Sequence, residues 1–400
     1  MTRAVVAQVS PARRAAYAVV LRVLAEDAWA DRALHGEARD LDPRDRALAK
    51  QLAFGTVQRR LTLDHVIAER TKGRLEPRVR AALQLGLYQL LFLDRVAAHA
   101  AIAEAVELAK PSPGHRVVNA VLRRVQREGV ELPRDDTVSG AAIRHSHPEW
   151  LVRLWWETLG AADARALLAA NNEPAELALR LNPLVAFDLA DVPGSRDGDT
   201  IVVDGAFDAL AHPGYAAGAF TPQSRASQRV APTVDPQPGE RVLDLCAAPG
   251  GKTTHLAALM GDEGEIVAVE RHAGRARALR ATAARMRASS IRVEVADAKA
   301  FDGARGFDRV LLDPPCSGLG TLRSHPDLRW RVTPRTVALL AAEQDALLAA
   351  ARRARRPGGV LVYSVCTISP GEERLAVPDP IRTFPHKDGT DGFYIARDGG

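Results

Sequence analysis

Four hundred residues exceed the roughly 250–300 that a single hydrophobic core supports, so two or three domains are expected, and a hydrophobic content of 46% suffices to fill them. No stretch approaches the roughly 20 apolar residues of a membrane span, and the N-terminal MTRAVVAQVS lacks the apolar centre of a secretory signal, which predicts a cytoplasmic protein with no membrane partner. The net charge of +5 is unevenly spread: residues 1–128 carry 22 basic against 14 acidic side chains, a surplus of 8, and the remainder carries 32 against 35.

Residues 12–128 repeat apolar side chains at three- and four-residue spacing almost throughout, as in AAYAVVLRVLAE, PRVRAALQLGLYQLLFL and VVNAVLRRVQRE, which predicts an all-α bundle over residues 1–132. Two basic clusters fall here: Arg70, Lys72, Arg74, Arg78 and Arg80, then Lys110, Arg116, Arg123, Arg124 and Arg127. Such patches suit phosphate contact, although the use of 48 Arg against 6 Lys also fits a coding bias and a merely solvated surface. From residue 133 the pattern is mixed. PEWLVRLWWETLG and AADARALLAANN have helical spacing, and LALRLN and DTIVVD alternate as short strands, so residues 133–219 are expected to form a small intermediate α/β domain. Over residues 220–400, RVLDLCA, EIVAVE, IRVEVAD, FDRVLLD and GGVLVYSV alternate with helical stretches. That alternation predicts a Rossmann-like, doubly wound α/β domain with ligands at the carboxyl ends of the strands.

Every candidate residue lies at such an end. In CAAPGGKT, Gly250 and Gly251 permit a tight turn and close cofactor approach, and the next helix offers free N–H groups. The segment lacks the spacing of a nucleotide-triphosphate loop and of GxGxxG, which favours S-adenosyl-L-methionine over a dinucleotide; a purely structural turn is the bland alternative. Glu270, 26 residues past Asp244, ends the second strand, where a carboxylate accepts ribose hydroxyls. Asp297 ends the third and suits the adenine side, or an N-cap. Asp313 follows a buried strand, and Pro314 and Pro315 make the turn beyond it rigid.

The three cysteines, Cys246, Cys316 and Cys366, have neither metal-ligand spacing nor an even count, so no metal site or disulfide framework is implied. For either Cys316 or Cys366 alone, inert burial is the commoner fate. Together they suggest covalent methyl transfer to a pyrimidine. C5 of cytosine or uracil is too weak a nucleophile to attack a sulfonium methyl unaided, and thiolate addition at C6 makes it an enamine. A carboxyl group at N3 stabilises that intermediate, for which Asp313 is the candidate, and the second thiol can serve as acid or base when the C5 proton leaves.

At this point the sequence resembles the RsmB/Sun family of RNA 5-methylcytosine methyltransferases, in particular its bacterial 16S ribosomal RNA members. LDLCAAPGGKTTHLA, DRVLLDPPCSGLGTLRSHPDLRWR, YSVCTISPGEE and PHKDGTDGFYIA resemble the family's motifs, SHPEWLVRLWW and HPGYAAGAFTPQSRASQ its intermediate region, and residues 12–128 its NusB-like RNA-binding domain. The resemblance implies that Cys246, Ala247, Ala248, Pro249, Gly250, Gly251 and Lys252, with Glu270, Asp297 and Asp313, surround S-adenosyl-L-methionine. It further implies that Cys366 is the nucleophile, that Cys316 promotes release of the methylated base, and that 16S ribosomal RNA is the partner. Only ten residues separate Glu373 from Phe384, where the family has a helix and a further strand, so the sheet is expected to be one strand short. DNA cytosine methylation, for which an acidic motif of the ENV type is missing, and a non-catalytic RNA-binding assembly or antitermination factor are the competing readings. Nothing in the chain demands more than a monomer.

Overall fold

In the computed structural model, residues 9–301 and 306–399 are described. The chain forms two compact units, Met1–Asn172 with His325–Arg331, and Glu173–Ser324 with Val332–Gly400.

The first unit is all helical: α1 Pro11–Ala25, α2 Ala30–Glu37, α3 Pro43–Gln58, α4 Arg60–Ala68, α5 Pro77–Phe92, α6 Ala98–Ala109, α7 His115–Glu128, α8 Val138–His145, α9 Glu149–Leu159 and α10 Ala161–Ala170. Prolines at the first turns of α1, α3 and α5 occupy positions whose N–H would be unsatisfied anyway, and the Asp42 side chain caps α3 by accepting from the Arg44 and Asp45 amides. α7 shows why the periodicity was readable: Val118, Val121, Leu122 and Val125 are buried on one stripe, and Arg123, Arg124 and Arg127 lie outside it. Part of the basic surplus is spent locally. Arg80 pairs with Asp64, Lys110 with Glu107, and Arg124 and Arg127 with Glu128, whereas Lys72, Arg74, Arg78 and Arg116 are exposed.

The part of the expected intermediate segment up to Asn172 belongs to the helical unit. Helices α8–α10 pack with the N-terminal bundle, because Thr62 Oγ1 donates to the Ile143 carbonyl at 2.6 Å and Gln58 Nε2 to the Asn171 carbonyl at 2.7 Å. His325–Arg331 also belongs to this unit. Its Arg329 is fully buried and donates to the carbonyls of Ser146 (3.0 Å) and Asn171 (3.1 Å) and to Asn172 Oδ1 (3.0 Å), and Trp330 Nε1 donates to the Val57 carbonyl at 2.7 Å.

The second unit holds two sheets. A four-stranded antiparallel sheet, in the order β2-β3-β1-β4, consists of β1 Ala178–Leu181, β2 Gly194–Asp197, β3 Thr200–Val203 and β4 Phe220–Pro222, with the short helix α11 Pro213–Ala217 before β4. After α12 Arg225–Gln228 and α13 Val230–Val234 come β5 Arg241–Leu245, α14 Gly251–Leu259, β6 Glu265–Val269, α15 Ala273–Arg285, β7 Ile291–Glu294 and β8 Phe307–Leu312. After α16 Leu328–Arg331, which belongs to the helical unit, the second unit continues with α17 Pro334–Ala354, β9 Arg355–Val365, β10 Ile381–Thr383, α18 Pro385–Asp388 and β11 Phe393–Asp398. The large sheet runs β10-β11-β9-β8-β5-β6-β7, with β7, β6, β5, β8 and β9 parallel. Val360–Val365 of β9 is buried on both faces, as a central strand between helical layers must be. The order reverses between β5 and β8, which makes their carboxyl ends the switch point.

The expectation of a missing strand is corrected. Ile381, Arg382 and Thr383 form β10, antiparallel to β11 in register with Ile395, Tyr394 and Phe393, and the sheet has seven strands. Three residues are too short to show a period. This edge is blunted by its length and by Arg382, which pairs with Glu373 at 2.5 Å and lies over the Tyr394 ring. Among the described residues no helix is long and apolar enough to cross a membrane.

Candidate active site

β5 delivers the chain into a turn with two residues at positive φ, Cys246 at 66° and Gly250 at 105°. A Cβ on Gly250 would lie 2.6 Å from Leu279 Cδ1, so both conformation and space require glycine there, and α14 starts at the next residue with its first amides free. Beneath the turn, Asp244 is buried. Its Oδ2 accepts from Thr253 Oγ1 at 2.6 Å, and its Oδ1 has no hydrogen-bond partner among the described residues. Burial, with the nearby charge of Asp313, pushes the Asp244 carboxyl up to about 7 against the Thr253 hydrogen bond. Cys246 is driven up to about 12 by burial and then by Asp313, Asp244, Glu270 and Glu343, so it stays a thiol.

At the ends of the next two strands lie the other expected acids. Glu270 is 3% exposed; its Oε1 accepts from the His272 amide at 2.8 Å, and Arg275 Nε stands 3.5 Å from Oε2. Asp297 is exposed and accepts from the Lys299 amide at 3.0 Å, a turn contact and not the cap of a helix. Asp313, just past β8, takes Lys252 Nζ on Oδ2 at 2.6 Å and Ser364 Oγ on Oδ1 at 2.9 Å. Burial works against the Lys252 ammonium, but Asp313 more than offsets it, with smaller help from Cys366 and Asp244, and the lysine titrates above its ordinary value. Lys252 is thus a cation within electrostatic reach of the Cys366 sulfur.

The two thiols meet. Cys316 Sγ and Cys366 Sγ are 3.3 Å apart, although the residues are 50 positions distant in sequence. The hydrogen bond with Cys366, then burial, then the negative charge of Cys366, Glu372 and Asp313 hold the Cys316 thiol well above its usual range. A cavity of about 280 Å³ is lined by Cys246, Ala248, Glu270, Asp297, Asp313, Cys316 and Cys366, together with Arg271, Arg275 and Glu343. Ala247, Pro249, Gly250, Gly251 and Lys252 build the turn and the helix start behind that lining and are not part of it.

Sequence reasoning passed over several side chains that organise this site. Ser364 orients Asp313, and the fully buried Glu372 holds Ser317 and Thr367, the residues that follow the two cysteines. The available signal was their position inside YSVCT and SPGEE, but neither residue type is diagnostic alone.

A glycine turn at the switch point, an acid-lined cavity and two thiols on adjacent parallel strands define a Rossmann-like methyltransferase domain. Comparison with known proteins gives the family. Family models match at residues 10–127 (NusB family), 147–186 (ferredoxin-like domain, RsmF/B-like) and 231–382 (16S rRNA methyltransferase RsmB/F). A probable ribosomal RNA small subunit methyltransferase B from Synechocystis sp. is 39% identical over 397 residues, covering 92% of this chain and 88% of its own. The ribosomal RNA small subunit methyltransferase B of Vibrio cholerae is 32% identical, covering 91% and 92%. Among solved structures, PH0851 superposes with a TM-score of 0.80 at 25% identity, covering 98% of this chain and 99% of that one. NSun6 from Pyrococcus horikoshii, solved with SFG, shares the fold at a TM-score of 0.54 and 21% identity over 62% of this chain and 97% of its own. The chain belongs to the RsmB/F family of 16S ribosomal RNA methyltransferases.

Proposed function

We propose that the protein methylates C5 of a cytosine in 16S ribosomal RNA, with S-adenosyl-L-methionine as methyl donor and Cys366 as covalent nucleophile. The observation that carries this reading is the 3.3 Å contact between two thiols that line the acid-lined cavity. The donor set suits the cofactor. Glu270 and Asp297 accept hydroxyl and amine protons, the orphaned Asp244 Oδ1 has unused capacity beneath the turn, and the free amides of α14 suit a carboxylate. When bound, the cofactor supplies an electrophilic methyl group on a sulfonium.

The chain's own groups do the rest. Lys252 sets a cation within electrostatic reach of the Cys366 sulfur, which must attack as thiolate, whereas Glu372 and the sulfur contact hold the Cys316 thiol protonated, an asymmetry that supports Cys366 as nucleophile. Cys366 Sγ adds to C6 of the flipped-out base, and the Lys252–Asp313 pair supplies the hydrogen bond at N3 as electron density moves to C5. Once bonded to C6, Cys366 is an uncharged thioether that no longer opposes ionisation of its neighbour; Cys316 then gives its proton to solvent and, as thiolate, takes the C5 proton, the C5–H electron pair re-forms the ring double bond, and the C6–S bond breaks with its electrons returning to Cys366. The exposed Lys72, Arg74, Arg78 and Arg116 of the helical unit are the phosphate contacts of this reading.

The test is to incubate wild type, Cys316→Ala and Cys366→Ala with S-adenosyl-L-methionine and 16S ribosomal RNA and to look for trapped protein on a denaturing gel. An adduct accumulating in Cys316→Ala alone is expected. An adduct only in Cys366→Ala would reverse the roles, and no adduct with no methyl transfer by wild type would end the enzymatic reading.

A further inference from the structure

Glu372 is 0% exposed, yet among the described residues its carboxylate forms bonds only with uncharged donors. Oε1 accepts from the Ser317 amide at 2.8 Å and from Gln344 Nε2 at 3.1 Å. Oε2 accepts from Ser317 Oγ at 2.5 Å and from Thr367 Oγ1 at 3.2 Å, and the two hydroxyls are themselves 2.7 Å apart. Ser317 follows Cys316 and Thr367 follows Cys366, so one carboxylate is bonded to the loops of both thiols. The clamp is itself braced. Gln344 Nε2 also donates to the Pro315 carbonyl at 2.9 Å, and the Tyr363 hydroxyl donates to the Glu372 carbonyl at 2.7 Å.

Burying a carboxylate is costly, and stability alone does not call for one where an apolar group of the same size would pack. What a carboxylate offers is two oxygens with about four acceptor sites in one rigid plane, enough to bind the backbone of one loop and the hydroxyls of both. We propose that Glu372 is a positioning residue for methyl transfer: it ties the Cys316 loop to the Cys366 loop and so holds the two sulfurs in contact. The proposal rests on the two-thiol reading above, and it explains how a pair carried by separate strands keeps a 3.3 Å spacing while one sulfur bonds to substrate and the other must reach the C5 proton. The negative charge of Glu372 also opposes ionisation of Cys316, which leaves the nucleophile's role to Cys366.

The test has a readout that does not require RNA. Diamide accepts two electrons and two protons as Cys316 and Cys366 join in a disulfide, becoming the hydrazine, and the rate of that link, mapped on peptides, reports how often the sulfurs are in contact. Glu372→Ala is expected to slow the link at least tenfold and to lower kcat about a hundredfold, with the RNA KM and cofactor affinity within about twofold of wild type, since a displacement near 1 Å suffices for such a loss. Glu372→Gln, whose amide can donate to hydroxyls that turn to accept, should recover most of both rates. Should Glu372→Ala unfold, Thr367→Val removes one arm at equal volume and should slow the link severalfold. Wild-type linking in folded Glu372→Ala or in Thr367→Val would overturn the clamp, and so would a Glu372→Gln variant as impaired as the alanine. If the linking rates separate as expected but wild type leaves cytosine C5 unmethylated, the clamp stands and the proposed reaction falls.

Discussion

Gly250 and Gly251 are adjacent, and both come from the same motif, but a Cβ should act on them in opposite ways. At Gly250 the backbone sits at φ of 105°, outside the region open to L side chains, which costs about 1–3 kcal/mol for alanine. The new Cβ would also lie 2.6 Å from Cδ1 of the fully buried Leu279 and 3.4 Å from Thr282 Cγ2; forcing that leucine from its rotamer costs about 1–3 kcal/mol more. The sum is about 4 kcal/mol, which for a unit of this size lowers Tm by roughly 8–16 °C. Gly251 is already helical, and its nearest neighbour, Gln223 Cδ, is 3.9 Å from the Cβ position, so Gly251→Ala should raise stability by about 0.4–1 kcal/mol through the unfolded state. Calorimetry on the full chain, following the transition of the second unit, separates the two. If Gly250→Ala melts within about 2 °C of wild type, or Gly251→Ala falls as far as Gly250→Ala, the account of this turn as a conformational and steric requirement is wrong.

Asp244 makes stability pH-dependent. Its folded carboxyl titrates near 7 and its unfolded one near 3.9, so between about pH 4 and 7 the native state holds the extra proton, and stability falls as pH rises through that window. Asp244→Asn should flatten Tm across this range, and parallel curves for the two proteins would refute it. In the helical unit, Arg329→Met leaves the Ser146 and Asn171 carbonyls and Asn172 Oδ1 without their donor. A loss of about 3 kcal/mol in that unit's calorimetric transition is expected, and an unmoved transition would contradict it. Lys252→Met removes the cation within electrostatic reach of Cys366, and alkylation of that thiol by iodoacetamide at neutral pH should slow severalfold. An unchanged rate would mean that the lysine serves only Asp313.

The elements of both units were readable because local chemistry repeats. The three-and-four spacing of α7, the apolar runs of β5, β6 and β8, and the prolines opening α1, α3 and α5 each describe their own segment. Three features escaped it for lack of such a repeat. β10 is three residues long, His325–Arg331 lies between β8 and α17 but packs in the helical unit, and Glu372 sits in a 3-10 turn where an acid ordinarily faces water.

At the site the division is similar. By itself the sequence determined that CAAPGGKT turns from a strand into a helix and that Asp313, Cys316 and Cys366 stand just beyond strand ends, because these are properties of contiguous residues. Only the tertiary structure decided that the two sulfurs touch. β8 and β9 are parallel neighbours with Leu312 opposite Tyr363, so Cys316, four residues past one, and Cys366, three past the other, leave the sheet side by side. The Lys252–Asp313 pair and the Glu372 clamp have the same origin, since strand order and register, which no single segment encodes, set which loop ends share a space.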